Sequence, residues 1–433
     1  MGCKATLGEL CTFHRGASVP RARMFDAGNY LYIHYGDLYK GFEQRIDVED
    51  PAKALPFILD NEKIKDDQFL CDQDIVYVLT SETVDDLGHA FLFNNPHNRI
   101  AVSGTETTIV RIQRKDMVLP AYLNYVMQSP RFIAELRQYV RGMKVFRVHP
   151  NDAARISIDL PSLDNQAKVV AILDAIFEKR RVNNRLNGYL EELADSLFRD
   201  MFGGQGDNAT LADVAAITMG QSPAGDSYNE EGVGAVFYQG RGEFGWRFPM
   251  QRLFTTEPRR TASADDVLMS VRAPVGDLNV AYEDCCIGRG LAAISSEHHS
   301  FCLYLMRSLK KKLDAFNGEG TVFGSINGRA LNGLSIYAPP SGAINSFETR
   351  ISPVDKLVRT NEAENRNLEA LRDSLLPKLM TGEIDVSKID LTRLNSHLAS
   401  IIPATKRLGR LWRHLPLVSS SMFASQKEIA NAD

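Results

Sequence analysis

A helical segment that occurs twice constrains this chain more than any other feature of its sequence. Residues 181–197 (RVNNRLNGYLEELADSL) and 359–375 (RTNEAENRNLEALRDSL) share nine identical residues in seventeen ungapped positions. Solenoid repeats recur about every 20–50 residues, whereas the two copies of this segment are offset by 178 residues. The sequence therefore predicts a duplicated domain, each copy of which is followed by a long helix.

The duplication extends into the segments that precede the helices. The string TLGEL (6–10) is echoed by TLADV (210–214), and Tyr32 aligns with Tyr238. Each copy closes with an apolar run of period two that ends in proline, which is typical of a strand. Other segments, such as 120–140, read as helices. We therefore expect an α+β protein with two globular mixed α/β domains, globe one and globe two, separated by two long helices.

The two long helices carry apolar residues at coiled-coil spacing. Gly203 and Gly382 follow them as C-terminal stops. If the second helix packs on the first, it has to return toward globe one, which predicts an antiparallel coiled coil with pseudo-two-fold symmetry. The predicted seam consists of Ile176, Asn183, Leu190, Leu193, Leu197, Asn361, Leu368, Leu371 and Leu375.

Two details of these helices leave alternatives open. Asn183 and Asn361 fall on core positions, where a buried polar residue fixes register at some loss of stability. The equally weighted alternative is that both side chains are exposed. Ser352 and Pro353 read either as an N-cap followed by a first-turn proline or as a kink inside the second helix.

Motifs of catalysis and metal binding are missing from the sequence. The string GRGEFG (240–245) fits a dinucleotide-binding pattern, but the WRFP that follows it cannot open a helix. No phosphate-binding loop, zinc-protease motif or nucleophile elbow occurs. The six cysteines lack metal-ligand spacing and read as reduced structural thiols of a cytoplasmic protein. We therefore predict no catalytic residue, no metal site and, without an apolar run of about 20 residues, no membrane span.

Basic residues cluster inside the globes, although the net charge of the chain is −4. Loops that combine arginine, glutamine and aromatic residues suit phosphate neutralisation and the reading of base edges. The alternative is an ordinary solvated surface with ion pairs. The wider cluster of globe two also contains Arg247, Arg259 and Arg260, with Tyr238, Trp246 and Phe248 interleaved. The candidate DNA-binding residues are Arg141, Lys144, Arg147, Gln239, Arg241, Arg272 and Arg289.

Three strings of the sequence resemble conserved patterns of one family. The string SVRAPVGD (270–277), followed by IGRGLA (287–292), resembles a target-recognition-domain pattern. LEALRDSLLPKLMTGEIDVS (368–387) resembles a distal conserved region, and LPSLDNQAKVVAILDAI (160–176) a central one. On these motifs the chain resembles the specificity (S) subunits of type I restriction–modification systems.

The resemblance implies a subunit that does no chemistry itself. Each target recognition domain would read one half of a bipartite site in double-stranded DNA, and the helices would set the spacer and dock methyltransferase (M) subunits. A translocating restriction (R) subunit would complete the complex, and S-adenosylmethionine, ATP and Mg would bind to the partner chains. The implied regions are target recognition domain 1 (1–162), a central helical region (163–204), target recognition domain 2 (205–342), a distal helical region (343–390) and a basic tail (391–433).

Two other functions remain open at this stage. The chain could be a coiled-coil scaffold that binds only protein, or a DNA methyltransferase that acts alone. The second function needs a cofactor site, for which only the poor match at 240–245 is available. The tail falls outside the resemblance and reads either as a short basic amphipathic helix or as a loosely ordered extension.

Overall fold

The computed structural model describes residues 3–38, 42–50, 53–318 and 324–389. The basic tail predicted for 391–433 lies outside the described residues. The chain divides into two compact units, the first comprising residues up to Val182 together with those from Asn365 onward, and the second Asn183–Glu364. Each unit therefore contains one globe and a part of both long helices.

The α-helices include several short ones within the globes and two of about forty residues. Within the described ranges they are α1 (Leu7–Leu10), α2 (Tyr35–Leu38), α3 (Pro120–Gln128), α4 (Pro130–Arg137), α5 (Pro150–Ala153), α6 (Leu163–Phe202), α7 (His299–Ser308), α8 (Lys310–Asp314), α9 (Gly328–Asn332) and α10 (Ser341–Thr381).

The strands are short and lie in the globes. Those of globe one are β1 (Cys3–Thr6), β2 (Cys11–Arg15), β3 (Tyr30–Ile33), β4 (Arg45–Asp47), β5 (Phe57–Ile58), β6 (Ile75–Val78), β7 (Thr80–Ser81), β8 (Ala90–Asn94), β9 (Ala101–Ser103), β10 (Thr107–Ile112), β11 (Phe146–Arg147) and β12 (Ser157–Leu160). Those of globe two are β13 (Ala209–Thr210), β14 (Ala216–Met219), β15 (Tyr228–Asn229), β16 (Ala235–Tyr238), β17 (Leu253–Thr255), β18 (Thr261–Ala262), β19 (Val267–Ser270), β20 (Leu278–Val280), β21 (Cys285–Ile287), β22 (Leu291–Ser295) and β23 (Ser335–Ile336).

Globe one is built around a five-stranded sheet of order β2-β10-β6-β8-β4 and a three-stranded sheet of order β5-β3-β9. Successive residues of β6 point to opposite faces. Ile75 accordingly packs in the core that contains Tyr122 of α3, and Val76 in the core that contains Leu31 of β3. Both faces of the larger sheet are thus covered, which explains why its central strands are continuous apolar runs.

Globe two repeats this topology strand by strand. Its sheet of order β14-β22-β19-β20 corresponds to β2-β10-β6-β8, and the β17-β16-β21 part of its second sheet corresponds to β5-β3-β9. In both globes the closing strand pairs with the opening one, as β1-β12 and β13-β23. The α+β class and the duplication of the globes are confirmed.

One aligned pair of residues needs correction. In the parallel pair β3-β9, Ile33 lies opposite Ser103, whereas in β16-β21 it is Tyr238 that lies opposite Ile287. Tyr238 therefore corresponds to Ile33, and the alignment of Tyr238 with Tyr32 is wrong by one residue. The segment between β16 and Gly242 is one residue longer than that between β3 and Gly36, and this difference shifts the sequence alignment by one.

Both long helices end where their glycines predict. α6 ends at Phe202 and is followed by Gly203 and Gly204, the latter with a φ of 76°. α10 ends at Thr381, and Gly382 has a φ of 73°. Only glycine adopts such left-handed angles without strain.

The start of α10 corrects one of the two open interpretations. The helix begins at Ser341 and continues through Pro353. Ser352 therefore lies inside the helix, and its interpretation as an N-cap is wrong. Pro353 removes one backbone donor from the interior, and Ile351 and Val358 of the same helix are buried.

The two long helices run antiparallel within each unit. In the first unit, Lys168 Nζ donates to Ser387 O over 2.8 Å, and Arg180 forms an ion pair with Glu369. In the second unit, Asn183 Nδ2 donates to Glu364 Oε2 over 2.8 Å. As the residue numbers rise along α6, those of the partners in and after α10 fall. The two helices therefore point in opposite directions.

The buried face of these helices differs in part from the predicted seam. Ile176 is buried, but Ala194 and Phe198 are the buried residues where Leu193 and Leu197 were predicted. On α10, Leu371 is 46% exposed. A strict coiled-coil seam is narrower than the apolar stripe of a helix that also packs on a globe. The apolar stripe of these helices turns toward the globes. In the second unit, the aromatic contacts that show this are Phe198–Phe202, Phe198–Phe347 and Phe202–Phe301.

The open question about the asparagines is answered by their burial. Asn183 is 2% exposed and Asn361 is 7% exposed. Asn361 Nδ2 donates to Asn187 Oδ1 over 2.7 Å, and Asn187 Nδ2 donates to Glu362 Oε1 over 2.8 Å. Such a paired polar layer fixes the register of two helices, because any slip would leave amides buried without partners.

The cysteines are free thiols. Burial raises the pKa of Cys11, Cys285 and Cys302 to about 12 in each case. These thiols therefore stay protonated near neutral pH and are poor nucleophiles. None of the described helices is long and apolar enough to span a membrane.

Candidate nucleic-acid interface

Three turns of globe two meet at one end of its sheets. Gly220 N donates to Leu291 O over 2.9 Å, and Gly288 N donates to Tyr238 O over 2.8 Å. A Cβ on Gly288 would lie 2.7 Å from Gln239 O, so only glycine permits this approach. The turns after β14, β16 and β21 therefore form one compact surface, the tip of globe two (220–222, 239–241 and 288–290).

Arg289 occupies the outermost turn of this tip. Its side chain is exposed, and its backbone N–H donates to Ser222 Oγ over 3.3 Å. The glycines on either side hold the turn close to Gln239, since a Cβ on Gly290 would come within 3.0 Å of Gln239 O. A rigid turn with an exposed guanidinium suits bidentate hydrogen bonding to a base edge or a phosphate.

Arg272 joins the same tip from β19. Val271 N donates to Gly290 O over 2.9 Å, which places the residue that follows it beside the glycine turn. Ser270 Oγ accepts from Asp277 N over 3.2 Å and closes the loop between them. The two strings singled out in the sequence, SVRAPVGD and IGRGLA, are thus neighbours in the fold.

Gln239 and Arg241 complete the predicted set of globe two. Gln239 is exposed and directly follows β16. Arg241 is also largely exposed and forms an ion pair with Asp277 of the closed loop. The structure therefore brings Gln239, Arg241, Arg272 and Arg289 together, and their role in DNA binding stays a prediction.

Arg247 has a different role from the one its place in the basic cluster indicated. It is 4% exposed and contacts Glu191 of α6 and Asp355 of α10 at 3.1 and 3.3 Å. Its guanidinium also donates to Tyr304 Oη over 3.2 Å. Tyr238 and Phe248, interleaved with it in sequence, are buried as well. Arg247 therefore attaches globe two to the helices of its unit, and Tyr238 and Phe248 lie in hydrophobic cores and do not face solvent.

Globe one carries an equivalent tip. Ala17 N donates to Ser103 O over 2.7 Å, and Gly104 N donates to Ile33 O over 2.9 Å. A Cβ on Gly16 would lie 1.9 Å from Gly104 O. These contacts repeat those of Gly220 and Gly288, so the turns 16–18, 34–35 and 104–106 form the tip of globe one.

The predicted basic residues of globe one lie on a hairpin beside this tip. Arg141 and Arg147 exchange two backbone hydrogen bonds of 2.9 and 2.8 Å. Gly142 turns the chain with a φ of 114°, and Lys144 is exposed. Met143 at the turn is 94% exposed. The hairpin joins the tip through strand pairing of Arg147 with Thr80.

The cations of globe two lie on the loops of its tip, whereas those of globe one lie on the hairpin beside its tip. By strand pairing, Thr105 is the counterpart of Arg289, and Thr80 is the counterpart of Arg272. In globe one Arg147 supplies a guanidinium next to Thr80 instead. Sequence comparison of the globes misses this exchange because the arginine lies on the hairpin, far along the chain. Only the strand pairing reveals it.

The described residues hold no group of three or more histidine, cysteine, aspartate and glutamate side chains placed for a metal ion. The strongest buried electrostatic network found there is the one around Arg247. Its partners are carboxylates of the long helices, so it serves the packing of the unit. The candidate functional sites are therefore the tip of globe two and, in globe one, the tip together with the basic hairpin beside it.

Comparisons with known proteins identify relatives of this chain. No protein-family model matches the chain. The chain is 28% identical over 298 residues to the MjaX type I restriction enzyme specificity subunit of Methanocaldococcus jannaschii, covering 63% of this chain and 70% of that protein. The MjaIX type I restriction enzyme specificity subunit of the same organism is 21% identical over 317 residues, covering 64% of this chain and 71% of that protein.

A solved structure supports the fold. The crystal structure of the S subunit of a type I restriction–modification system from M. genitalium matches with a TM-score of 0.54 and 14% identity, covering 88% of this chain and 96% of that one. At this identity the match concerns the fold alone. The curated relatives confirm the resemblance inferred from the motifs.

Proposed function

This chain is a homologue of the type I restriction enzyme specificity subunits, and we propose that it is the DNA-recognition subunit of such a complex. Each globe reads one half of a bipartite DNA site through its tip. The chain performs no chemistry itself. The observation that carries the proposal is the pair of tips, built on one scaffold and fitted with different exposed side chains.

The two tips share a backbone scaffold but differ in their side chains. This difference fits the reading of DNA bases better than unspecific attachment to DNA. Phosphate contacts require only cations, whereas base reading requires side chains that differ from one target to the next. In globe two the tip carries Gln239, Arg272 and Arg289, while the same places in globe one carry His34, Thr80 and Thr105. Two tips with different side chains would read two different half-sites.

The long helices supply the second part of the proposal. They dock methyltransferase subunits, which carry S-adenosylmethionine, and their length sets the unread spacer between the half-sites. A restriction subunit that uses ATP and Mg joins the full complex in the cytoplasm. Exposed apolar residues on the helices, Tyr189, Leu357 and Leu371, suit a protein-docking surface.

An exchange of globe one tests the assignment of one tip to one half-site. Replacing residues 1–150 by those of another specificity subunit is expected to change one half of the methylated motif and to leave the other half and the spacer intact. The reason is that all turns of the first tip lie in that segment, whereas those of the second lie beyond residue 204. Sequencing of the methylated bases in cells that express the chimaera with its methyltransferase gives the result.

The matched control exchanges 205–342 instead and should alter the other half alone. A chimaera that assembles with the methyltransferase and changes both halves, or neither, would contradict the assignment.

A further inference from the structure

We propose that Glu106 and Arg147 form a base-reading pair in globe one that selects a cytosine–guanine base pair in its half-site. The inference rests on the proposed function and adds to it a specificity-determining carboxylate. Neither the motifs nor the basic clusters of the sequence pointed to Glu106. It emerges from the geometry of the tip.

The turn that carries Glu106 is held rigidly. Tyr32 Oη donates to Ala17 O over 2.7 Å and accepts from the Thr105 backbone N–H over 3.0 Å. Gly104 N donates to Ile33 O over 2.9 Å. After Glu106, Thr107 O accepts from Gly16 N over 3.0 Å. The turn is thus fixed to neighbouring loops on both sides, so the side chain at its apex projects from a preorganised position.

Glu106 occupies this apex in an unfavourable backbone conformation. Its φ is 61°, in the left-handed region that residues with a Cβ rarely adopt. The corresponding residue in globe two is Gly290, which follows from the pairing of β9-β3 and β21-β16. A glycine would relieve the strain, yet globe one carries a glutamate there. Strain that is kept at a surface position points to a functional side chain.

Arg147 approaches Glu106 from a separate element. Its Nη2 lies 3.8 Å from Glu106 Oε1, and the side chains are 61% and 38% exposed. The arginine backbone is fixed by the hairpin bonds to Arg141 and by pairing with Thr80. The guanidinium donor of Arg147 and the carboxylate acceptor of Glu106 therefore lie side by side on one exposed surface.

A carboxylate on a DNA-facing surface is repelled by phosphates. Arg147 offsets part of that charge, and a hydrogen bond accepted from a base would offset the desolvation of the carboxylate. In the major groove the exposed amino donors are cytosine N4 and adenine N6. Adenine also presents the acceptor N7, which a carboxylate cannot satisfy because it has no donor when ionised. Glu106 therefore favours cytosine, while Arg147 donates to the O6 and N7 of a guanine.

The test uses the complex of this chain with its methyltransferase and a set of duplexes. The duplexes carry each of the four base pairs in turn at every position of the half-site that globe one reads. The wild-type complex is expected to prefer C·G at one position by about tenfold or more. Glu106→Gln should lose this preference at that position alone, or shift it toward A·T, because an amide has both a donor and an acceptor.

Two further variants separate reading from structure. Asp159→Asn makes the same chemical change in another exposed pair of globe one, Asp159 with Arg131 at 3.2 Å, and should leave all preferences unchanged. Glu106→Gly removes the carboxylate and relieves the strained φ. It should lose the C·G preference while the melting temperature stays equal or rises.

The other possible outcomes would overturn the inference about Glu106. If Glu106→Gln keeps every preference of the wild type, or weakens all duplexes evenly, Glu106 does not read a base and the inference is overturned. If the wild-type complex itself discriminates at no position, the proposed function fails first, and the inference fails with it. The two failures are therefore distinguishable in one data set.

Discussion

Replacing Arg247 by alanine is expected to lower the free energy of unfolding of the unit that contains globe two by about 3–5 kcal/mol. The guanidinium is 4% exposed and lies between Glu191 of α6 and Asp355 of α10. Alanine would leave the largely buried carboxylate of Asp355 without its cation, while Glu191 would keep Arg307 at 2.8 Å. Removal of one partner of a buried network costs far more than the net contribution of the network itself.

The loss of stability in Arg247→Ala should depend on pH in a defined direction. Burial raises the pKa of Asp355, and the Arg247 guanidinium counteracts that rise. Without the arginine the pKa of Asp355 in the folded state rises further, and the folded state then takes up a proton more readily than the unfolded one. The stability of the variant therefore falls as pH rises from the pKa of Asp355 in the unfolded state to its higher pKa in the folded state. The difference from the wild type is expected to be largest near pH 7 and to shrink toward pH 4.

Urea denaturation at several pH values measures both effects. Arg259→Ala is the matched control, because Arg259 and its partner Glu257 are each more than half exposed. Such a surface change is expected to stay within about 0.5 kcal/mol of the wild type. An Arg247→Ala variant as stable as Arg259→Ala would show that the buried network does not hold globe two to the helices.

Replacing Arg289 by alanine is expected to weaken binding to the cognate site by about tenfold or more and to relax specificity at one position of the globe-two half-site. The turn 288–290 is held against Gln239 by two glycines, so the arginine is presented in a fixed place. A bidentate contact to guanine would be lost and not replaced. Binding titrations of the assembled complex with single-substituted duplexes measure the change.

Arg350→Ala on α10 provides the control, since Arg350 is exposed and lies outside the tips. If Arg289→Ala weakens all sequences equally, the residue contacts phosphate only, and direct reading by it is refuted. Unchanged affinity for every duplex would remove Arg289 from the interface altogether.

Local signals of the sequence predicted the long helices well. Their ends are marked by Gly203 and Gly382, because a left-handed residue after a helix is a property of the glycine itself. The duplication was equally visible, since 181–197 and 359–375 still share residues. The four candidate residues of globe two come together because their strings flank strands that end at one edge.

Features that depend on partners distant in sequence could not be predicted in this way. Arg247 resembles its exposed neighbours in every local respect, and only the carboxylates at 191 and 355 draw it inward. The buried stripe of the helices follows the globes and not the heptad alone, so Leu371 is exposed. Glu106 carries no motif, and its significance depends on a backbone angle and on an arginine 41 positions further along the chain.

The central claim is that this chain directs methylation to a bipartite DNA site. The most direct measurement is a map of methylated adenines in cells that express this chain with its methyltransferase, compared with cells that express the methyltransferase alone. The account predicts methylation at a split motif, with two specific halves and an unread spacer, only when this chain is present. An unchanged map, in cells where the two proteins are shown to assemble, would contradict it.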